Sequence, residues 1–393
     1  MTTMLGVLLA ALLPWVTPLA GPWRAALDLA GGTLRFSIEV DPGAPVQARL
    51  CNGTTCEPFS AVRVLGDTVV FELADYAATI RTVRLGDSLV GAYSNVGNRG
   101  PRTIPFRAAR GRWPVEPAAA GLLGTWDAWF GPEGRRTPRV LEVANSPVGM
   151  TGTVLSNSGD YGAFWGEASG GRFTLGHFDG SFVYLITGEL AGDTLRGVFH
   201  AGLRSQTPFF ATRSRGGAHL TPPTEVTRAD TSAPFRFAFP GLDGVVVTNE
   251  DPRFRGKVVM VDIFGTWCPN CHDAAPTLLE LYQTYHARGF EVVSLAYEVT
   301  GDPAVDGQLV RRFQQKFGIP WPILLAGVNE TDLTAATLPQ LQGFTAYPTL
   351  LFLDRQGRVR RIHAGFYGPA TGAQYTKLRA DLHTYIEELL GPN

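Results

Sequence analysis

The stretch FGTWCPNCHDAAPTLLEL, residues 264–281, decides the fold of the C-terminal part of this 393-residue chain. Two cysteines, Cys268 and Cys271, lie two residues apart, directly behind Trp267 and ahead of a helical pattern. The first thiol is expected at the N-terminus of the helix, where unpaired N–H groups and the helix dipole stabilise a thiolate. The second thiol lies one turn further on, close enough to attack a mixed disulfide. This arrangement is typical of a redox-active dithiol.

The segments around the dithiol follow an α/β pattern. VVMVDIF (258–264) is a nearly continuous apolar run, which predicts a central buried strand. Residues 270–288 carry apolar side chains along one face and predict a helix. The other predicted elements are an edge strand at 235–239, a buried strand at 291–297, a helix at 305–318, strands at 323–326, 349–354 and 358–363, and a last helix at 373–390. The order is β-α-β, then an inserted α-β-α, then β-β-α.

Several parts of residues 235–393 resemble one known family. The motif Trp267-Cys268-Pro269-Asn270-Cys271 is similar to the thioredoxin active site, and Pro276 falls where thioredoxins have a helix-kinking proline. Tyr347-Pro348-Thr349 opens a strand and resembles the cis-proline turn. The segment from about 298 to 343 is similar to the insertion that separates the TlpA type from plain thioredoxin. The C-terminal domain, residues 235–393, therefore resembles the exported TlpA/ResA-type thiol–disulfide oxidoreductases.

The resemblance implies a role for each candidate site residue. Cys268 would attack a disulfide and Cys271 would resolve the intermediate, while Trp267 belongs to the motif. Asp262, six residues before Cys268, is at the position of a buried acid that assists proton transfer. Pro348 would line the substrate groove opposite Cys268. No cofactor and no metal is expected.

One further acid and the dipeptide between the cysteines are less well matched. Glu298 lies close to the position where TlpA-type proteins place an acid, and the alternative is an ordinary surface acid. Asp262 has the alternative of a solvated carboxylate at a strand end, and Pro348 that of a trans loop proline. The dipeptide Pro269-Asn270 differs from the Gly-Pro of thioredoxin, so the direction of redox exchange does not carry over.

Three other chemistries are alternatives for this cysteine pair. A plain structural disulfide is disfavoured because an accessible CxxC at a helix start is strained and exchangeable. A zinc or copper site with His272 is a second alternative, but zinc prefers four ligands and the sequence has no second CxxC or His pair. His363 is a distant candidate ligand that we expect on a strand surface. Peroxidase activity is a third alternative, although peroxiredoxins use a cysteine outside a WCxxC motif.

Residues 21–213 predict an antiparallel all-β region, because short alternating runs are separated by Gly, Asn, Asp and Pro. The region repeats: GDSLVGAY (86–93) matches GDTLRGVF (192–199). We expect two repeats, residues 21–112 and 122–213, forming two β-meanders that pack together or close as small barrels. A polar linker, residues 214–234, is expected to be extended and exposed.

The remaining two cysteines flank a turn sequence. Cys51 and Cys56 enclose Asn-Gly-Thr-Thr, which favours a structural disulfide across a hairpin. The alternative is a second redox pair that exchanges with Cys268. The corresponding loop of the second repeat, LSNSGD (155–160), has no cysteines, so the repeat fold does not require the pair.

The N-terminus and the composition bear on location and partners. Residues 4–20 form an uncharged apolar run, which predicts a secretory signal peptide over residues 1–20 and a periplasmic or other extracytoplasmic location. No Lys or Arg precedes the run, which argues against a signal peptide; an uncleaved anchor and a wrongly assigned start are the alternatives. After cleavage no stable membrane insertion is expected. The 34 basic and 35 acidic residues give a net charge of -1 and do not favour nucleic acid or an anionic membrane as the main partner.

These inferences predict an exported thiol–disulfide oxidoreductase that exchanges disulfides with protein substrates through WCPNC. The resemblance also implies a membrane-bound electron donor. The competing prediction is a ligand- or partner-binding β-domain protein with an accessory redox domain, and thiol peroxidase is the other alternative.

Overall fold

The computed structural model describes residues 19–97, 100–216 and 219–391. Two antiparallel sheets come first in the chain, and a mixed α/β domain follows. The predicted signal segment, residues 1–20, lies almost entirely outside the described residues. Within the described part of the chain, no helix is both long enough and apolar enough to cross a membrane.

The first sheet has nine antiparallel strands in the order β4-β3-β2-β1-β9-β8-β7-β6-β5. The strands are β1 (Gly21–Leu29), β2 (Gly32–Val40), β3 (Ala48–Asn52), β4 (Thr55–Pro58), β5 (Ala61–Leu65), β6 (Thr68–Leu73), β7 (Ala78–Leu85), β8 (Ser88–Gly97) and β9 (Gly100–Arg110). Side chains of β2 alternate between buried and partly exposed, as the two-residue period of a strand requires. A 3-10 turn, Ala74–Tyr76, connects β6 to β7.

The second sheet also has nine strands, in the order β11-β10-β18-β17-β16-β15-β14-β12-β13. The strands are β10 (Gly124–Phe130), β11 (Thr137–Ser146), β12 (Gly149–Ser156), β13 (Gly159–Asp160), β14 (Phe164–Ser169), β15 (Arg172–Phe178), β16 (Val183–Ala191), β17 (Thr194–Ala201) and β18 (Ser205–Arg213). Because β11 also pairs with β12, eight of these strands close into a barrel. The predicted antiparallel all-β class is confirmed.

Equivalent positions of the two sheets carry the same contacts. The first strand of each sheet holds a buried tryptophan, Trp23 or Trp126, whose indole N–H donates to the carbonyl four residues earlier. An arginine from the last strand lies over each ring, Arg110 at 4.7 Å and Arg213 at 4.0 Å from the ring centroids. On this correspondence we propose that the two repeats arose by duplication.

Part of the second sheet packs into the apolar core of the first, and the rest of the second sheet has a core of its own. Phe178, Val183 and Leu185 belong to the second sheet but pack among the core residues of the first. The amide side chain of Asn52 donates to the Phe178 carbonyl and accepts from the Phe178 N–H. We call residues 19–213 the β region, and this joint core makes it one body.

The connecting segment differs from its prediction. Residues 214–234 contain a short helix, α1 (Pro223–Val226), and a strand, β19 (Arg228–Ala229), that pairs with residues 341–342. Much of the segment is exposed, but the expectation of an extended and exposed linker is wrong in part, because the segment contains helix α1 and because Thr227 is buried beside the following domain.

The predicted edge strand at 235–239 is also displaced. The strand there is β20 (Ala238–Pro240), which pairs with β21 (Val246–Thr248) as a separate ribbon. Phe235 and Phe237 are buried in the core of the C-terminal domain, so this segment packs into that core and does not form an edge strand of the sheet.

The C-terminal domain has a five-stranded sheet in the order β24-β23-β22-β26-β27. Its elements are β22 (Val258–Phe264), α2 (Pro269–Tyr285), β23 (Phe290–Glu298), α3 (Pro303–Phe317), β24 (Ile323–Val328), α4 (Thr331–Thr337), β25 (Leu341–Gln342), β26 (Thr349–Leu353), β27 (Val359–Ala364) and α5 (Ala373–Leu390). Strands β22, β23 and β24 are parallel, while β26 and β27 are antiparallel to their neighbours. Every residue of β22 is buried, as its continuous apolar run predicts.

Candidate active site

The dithiol lies where the central strand β22 passes into helix α2. Cys268 is the N-cap residue of α2, Pro269 occupies the first helical position, and Cys271 follows within the first turn. Both cysteines are free thiols in the structure. Only 3% of Cys268 and 2% of Cys271 is exposed. The accessible position expected for a CxxC at a helix start is therefore wrong for this structure.

The predicted cis-proline turn faces the first thiol. The Tyr347–Pro348 peptide bond is cis, and the Cys268 thiol donates to the Tyr347 carbonyl oxygen at 3.5 Å. Trp267 is half-buried, with its indole N–H donating to the Tyr297 carbonyl at 2.8 Å and its ring lying edge-on to Tyr347. The structure therefore brings Trp267, Cys268 and Pro348 together, as the sequence motif predicts.

Asp262 is buried in β22 and not a solvated carboxylate at a strand end. The Ser294 hydroxyl donates to its Oδ2 at 2.9 Å, and its Oδ1 has no hydrogen-bond partner. Burial raises the pKa of Asp262 to about 7, and the bond from Ser294 opposes that rise. Burial also raises the pKa of the Cys271 thiol, with further contributions from Cys268 and from the charge of Asp262. These two groups therefore influence each other electrostatically.

Glu298 ends strand β23 and is buried, so the alternative of a surface acid is wrong. It accepts from the Thr266 N–H at 2.8 Å and from the Thr266 hydroxyl at 2.6 Å. Burial raises the pKa of Glu298 to about 8. Because Thr266 precedes Trp267, Glu298 supports the loop that carries the dithiol.

Two histidines of the dithiol domain, His272 and His363, are buried. His272 Nε2 lies 2.8 Å from the Thr266 carbonyl, and burial lowers the pKa of His272 to about 4. His363 is also buried, so the expectation of a strand-surface position is wrong. Across residues 19–97, 100–216 and 219–391, no group of three or more His, Cys, Asp and Glu side chains is arranged to hold a metal ion.

Cys51 and Cys56 form a disulfide. They face each other in the β3–β4 hairpin, at directly opposed positions of the ladder. Cys51 is buried and Cys56 is exposed.

Contacts between the β region and the dithiol segment were not predicted from the sequence. Asn270, between the two cysteines, donates through its amide to the carbonyl oxygens of Asp160 at 3.0 Å and Phe366 at 2.8 Å. The Ser181 hydroxyl donates to the Trp267 carbonyl at 2.8 Å. Asp160 lies in the LSNSGD loop, whose sequence predicts an ordinary turn. The lack of cysteines was the feature that distinguished this loop from its counterpart in the first repeat.

Two cavities lie between the β region and the dithiol segment. One, of about 410 Å³, is lined by Arg102, Tyr184 and Trp267 among others. The other, of about 430 Å³, is lined by side chains of both sheets and by Asn270 and His272. Neither cavity is lined by Cys268 or Cys271.

These features define the class of the C-terminal domain. A parallel β22–β23 pair with α2 between its strands, antiparallel β26 and β27, and a dithiol facing a cis-proline turn form a thioredoxin fold. The α3–β24–α4 insertion resembles that of the TlpA/ResA type. The predicted fold class and family resemblance are therefore confirmed.

Comparison with known proteins agrees with this assignment. Residues 228–376 match the family model described as Redoxin. The thiol-disulfide oxidoreductase ResA of Geobacillus thermodenitrificans (strain NG80-2) is 30% identical over 136 residues, which is 35% of this chain and 65% of that relative. ResA of Halalkalibacterium halodurans is 27% identical over 130 residues, 33% of this chain and again 65% of the relative.

A solved structure is similar as well. The thiol:disulfide interchange protein of the thioredoxin family from Chlorobium tepidum TLS is 23% identical, and the match covers 42% of this chain and 99% of that one, with a TM-score of 0.32. The chain thus spans about two thirds of the length of the ResA relatives, and the β region lies outside the residues matched by the family model.

Proposed function

We propose that this protein is an exported thiol–disulfide oxidoreductase that exchanges disulfides with protein substrates through Cys268 and Cys271. The observation that carries the proposal is the position of Cys268 at the N-terminus of α2, facing the Tyr347–Pro348 turn, with Cys271 one turn further along. The names of the ResA relatives support the same reaction class.

The first step is attack on a substrate disulfide. The Cys268 thiolate attacks one sulfur of the substrate, forming a mixed disulfide and releasing the other sulfur as a thiolate, which takes up a proton. Cys268 attacks from the N-terminus of α2, and the Pro348 turn forms one wall of the groove in which the substrate lies.

The second step frees the substrate. Cys271 loses its proton and attacks the Cys268 sulfur, so the Cys268–Cys271 disulfide forms and the substrate leaves as a thiol. Two electrons pass from the dithiol to the substrate disulfide. Asp262 is the proposed acceptor of the Cys271 proton because it is the buried carboxylate whose charge influences that thiol. Glu298 and Trp267 position the loop that carries Cys268.

A further turnover requires an electron donor that reduces the new disulfide, and we assign this role to a membrane-bound dithiol protein outside the cytoplasm. The uncharged apolar run at residues 4–20 is the observation that supports export.

The test is insulin reduction by the full chain in dithiothreitol. Cys268→Ser should abolish the activity, whereas Cys271→Ser should accumulate mixed disulfides at Cys268 that mass spectrometry detects. The matched control is the double variant Cys51→Ser/Cys56→Ser, which removes the other cysteine pair and should keep the activity. Activity that survives Cys268→Ser, or that is lost only in the control, would exclude the proposed roles.

A further inference from the structure

The β region packs against the segment that carries the dithiol. A folded protein substrate must bring a disulfide sulfur into line with the Cys268 sulfur, yet Cys268 and Cys271 are almost fully buried. The thiol of Cys268 points to the Tyr347 carbonyl, and the segment that carries it is contacted by residues of both sheets. In this docked arrangement the exchange proposed above has no room for its substrate.

A short hairpin of the β region makes several hydrogen bonds with the C-terminal domain. We call residues 156–160, at the β12–β13 turn, the docking hairpin. Its Asp160 donates through the backbone N–H to the Phe366 carbonyl and accepts, through Oδ2, from the Gly368 N–H at 2.6 Å. The Asp160 carbonyl accepts from Asn270. A Cβ atom at Gly159 would lie 2.6 Å from the Phe366 oxygen, so the hairpin reaches this face only because position 159 is glycine, with φ of +116°.

Other polar contacts lie around the hairpin. The Tyr367 hydroxyl donates to the Ser156 carbonyl at 3.1 Å, and the Ser181 hydroxyl donates to the Trp267 carbonyl. On a neighbouring edge, Lys316 of α3 pairs with Asp75 of the 3-10 turn at 2.6 Å. The phenol of Tyr76 adds a ring contact, 4.7 Å from His272.

The interface has no apolar core common to both parts of the chain, and it is incompletely packed. In the described residues, the apolar core of the C-terminal domain contains no side chain of the β region, which has its own cores. The two cavities of about 410 and 430 Å³ lie at the interface. Interfaces of this kind within one chain permit relative domain motion, whereas large apolar interfaces do not. The partly exposed connecting segment, residues 214–234, gives the chain slack for such a motion.

We infer that the β region is a removable cover of the redox centre, and that a protein disulfide reaches Cys268 only after the docking hairpin leaves the face formed by Asn270 and residues 365–368. The inference rests on the proposed function, because it names the regulation of the same site. Release of the hairpin frees the Gly368 N–H and removes one of the two donors to the Phe366 carbonyl, and withdrawal of Ser181 with the rest of the β region frees the Trp267 carbonyl. An extended polypeptide offers backbone partners to those groups, so substrate and hairpin compete for one face.

The test measures how fast Cys268 reacts with reagents of two sizes. The full chain carries Cys271→Ser, and its Cys51–Cys56 disulfide stays closed, so Cys268 is the single thiol. Iodoacetamide is the small reagent, and a maleimide joined to a polyethylene glycol chain is the large one. Two further variants each remove one contact with the cover, Ser181→Ala and Tyr367→Phe.

Each contact variant should raise the rate with the large reagent by about 2- to 10-fold, since one hydrogen bond shifts the opening equilibrium by that factor. The double variant should raise it further. The matched control is Tyr285→Phe, which also removes a phenol hydroxyl, but one that bonds to His383 inside the C-terminal domain. The control should leave the rate unchanged.

Two results overturn the inference. One is a labelling rate of Cys268 with the large reagent, in the protein without the contact variants, that equals the rate of an unstructured thiol peptide. The other is a set of contact variants that react at the rate of Tyr285→Phe while circular dichroism shows them folded. Insulin reduction by the same variants with Cys271 restored separates the two proposals. If the contact variants are labelled faster but never reduce insulin, the inference of a cover stands and the proposed function is refuted. If they reduce insulin but their labelling rate is unchanged, the proposed function stands and the inference of a cover is refuted.

Discussion

Replacing Asp262 with asparagine removes one carboxylate from the strand beneath the dithiol and keeps the shape of the side chain. The amide can still accept from the Ser294 hydroxyl, so the packing of β22 against β23 is retained. What is lost is the only proposed acceptor for the Cys271 proton. Asp262→Asn should therefore slow the second step of exchange and leave the first attack by Cys268 almost unchanged.

The magnitude follows from the raised pKa of Asp262. With a pKa of about 7, the ionised fraction of this carboxyl rises from about 9% at pH 6 to about 91% at pH 8. The rate of the second step should rise about tenfold over that range in the wild type, because only the ionised form accepts a proton. The asparagine variant should lack this rise and should be slower by about 100-fold at pH 8, the lower end of general-base effects.

The assay uses an aromatic disulfide, 5,5′-dithiobis(2-nitrobenzoate), in a stopped-flow instrument. Attack by Cys268 releases one coloured thiolate, and attack by Cys271 on the mixed disulfide releases the second, so the two phases report the two steps. Ser294→Ala is the companion variant. The Ser294 hydrogen bond lowers the pKa of Asp262, so its removal should move the midpoint of the second phase to higher pH.

One result would refute the reasoning. If Asp262→Asn keeps the rate and the pH profile of the second phase, Asp262 has a structural role only. Glu298 is then the next acid to test, because it is also buried and its pKa is raised to about 8.

Three other predictions concern stability. Burial holds the pKa of Asp262 above its unfolded value, so between pH 4 and 7 the folded chain keeps a proton that the unfolded chain loses. The free energy of unfolding of the wild type should therefore fall over that window. Urea titrations should show that Asp262→Asn gains up to about 4 kcal/mol of stability relative to the wild type by pH 8. Glu298→Ala leaves the buried Thr266 N–H and hydroxyl without acceptors and should lower the free energy of unfolding by about 2–5 kcal/mol. The control, Glu388→Ala, breaks an exposed ion pair with Arg361 and should change the free energy of unfolding by less than about 1 kcal/mol. Trp23→Phe and Trp126→Phe remove equivalent indole hydrogen bonds and should lower the melting temperature by similar amounts if the repeats are duplicates; a loss at only one position would contradict that.

Much of the C-terminal domain was predictable because its signals are local. Strand β22 is an unbroken apolar run, and α2 begins at the cysteine followed by proline, so both elements and the dithiol between them follow from neighbouring residues. The cis-proline turn required the family resemblance. Asp262 was also placed correctly, since its position within an apolar run predicts burial.

The contacts across the interface were not predictable because they join residues far apart in sequence. Asp160 and Asn270 are 110 residues apart, and Ser, Asn, Gly and Asp in a hairpin favour a turn whether or not it touches another domain. The burial of His363, and the choice between the two alternatives for Glu298, could not be settled from the sequence for a related reason. A polar residue near the end of a strand gives no indication of what packs over it, and here both are covered by neighbouring elements of the domain.

The central claim is that electrons reach a substrate disulfide through Cys268 and Cys271. The most direct measurement equilibrates the reduced full chain with an excess of a disulfide substrate, counts the thiols released and maps the disulfides under non-reducing conditions. The account predicts two thiols released per chain and one new disulfide, Cys268–Cys271, with Cys51–Cys56 unchanged. Thiol release without a Cys268–Cys271 disulfide, or no release after the cover has been loosened by Ser181→Ala and Tyr367→Phe, would contradict it.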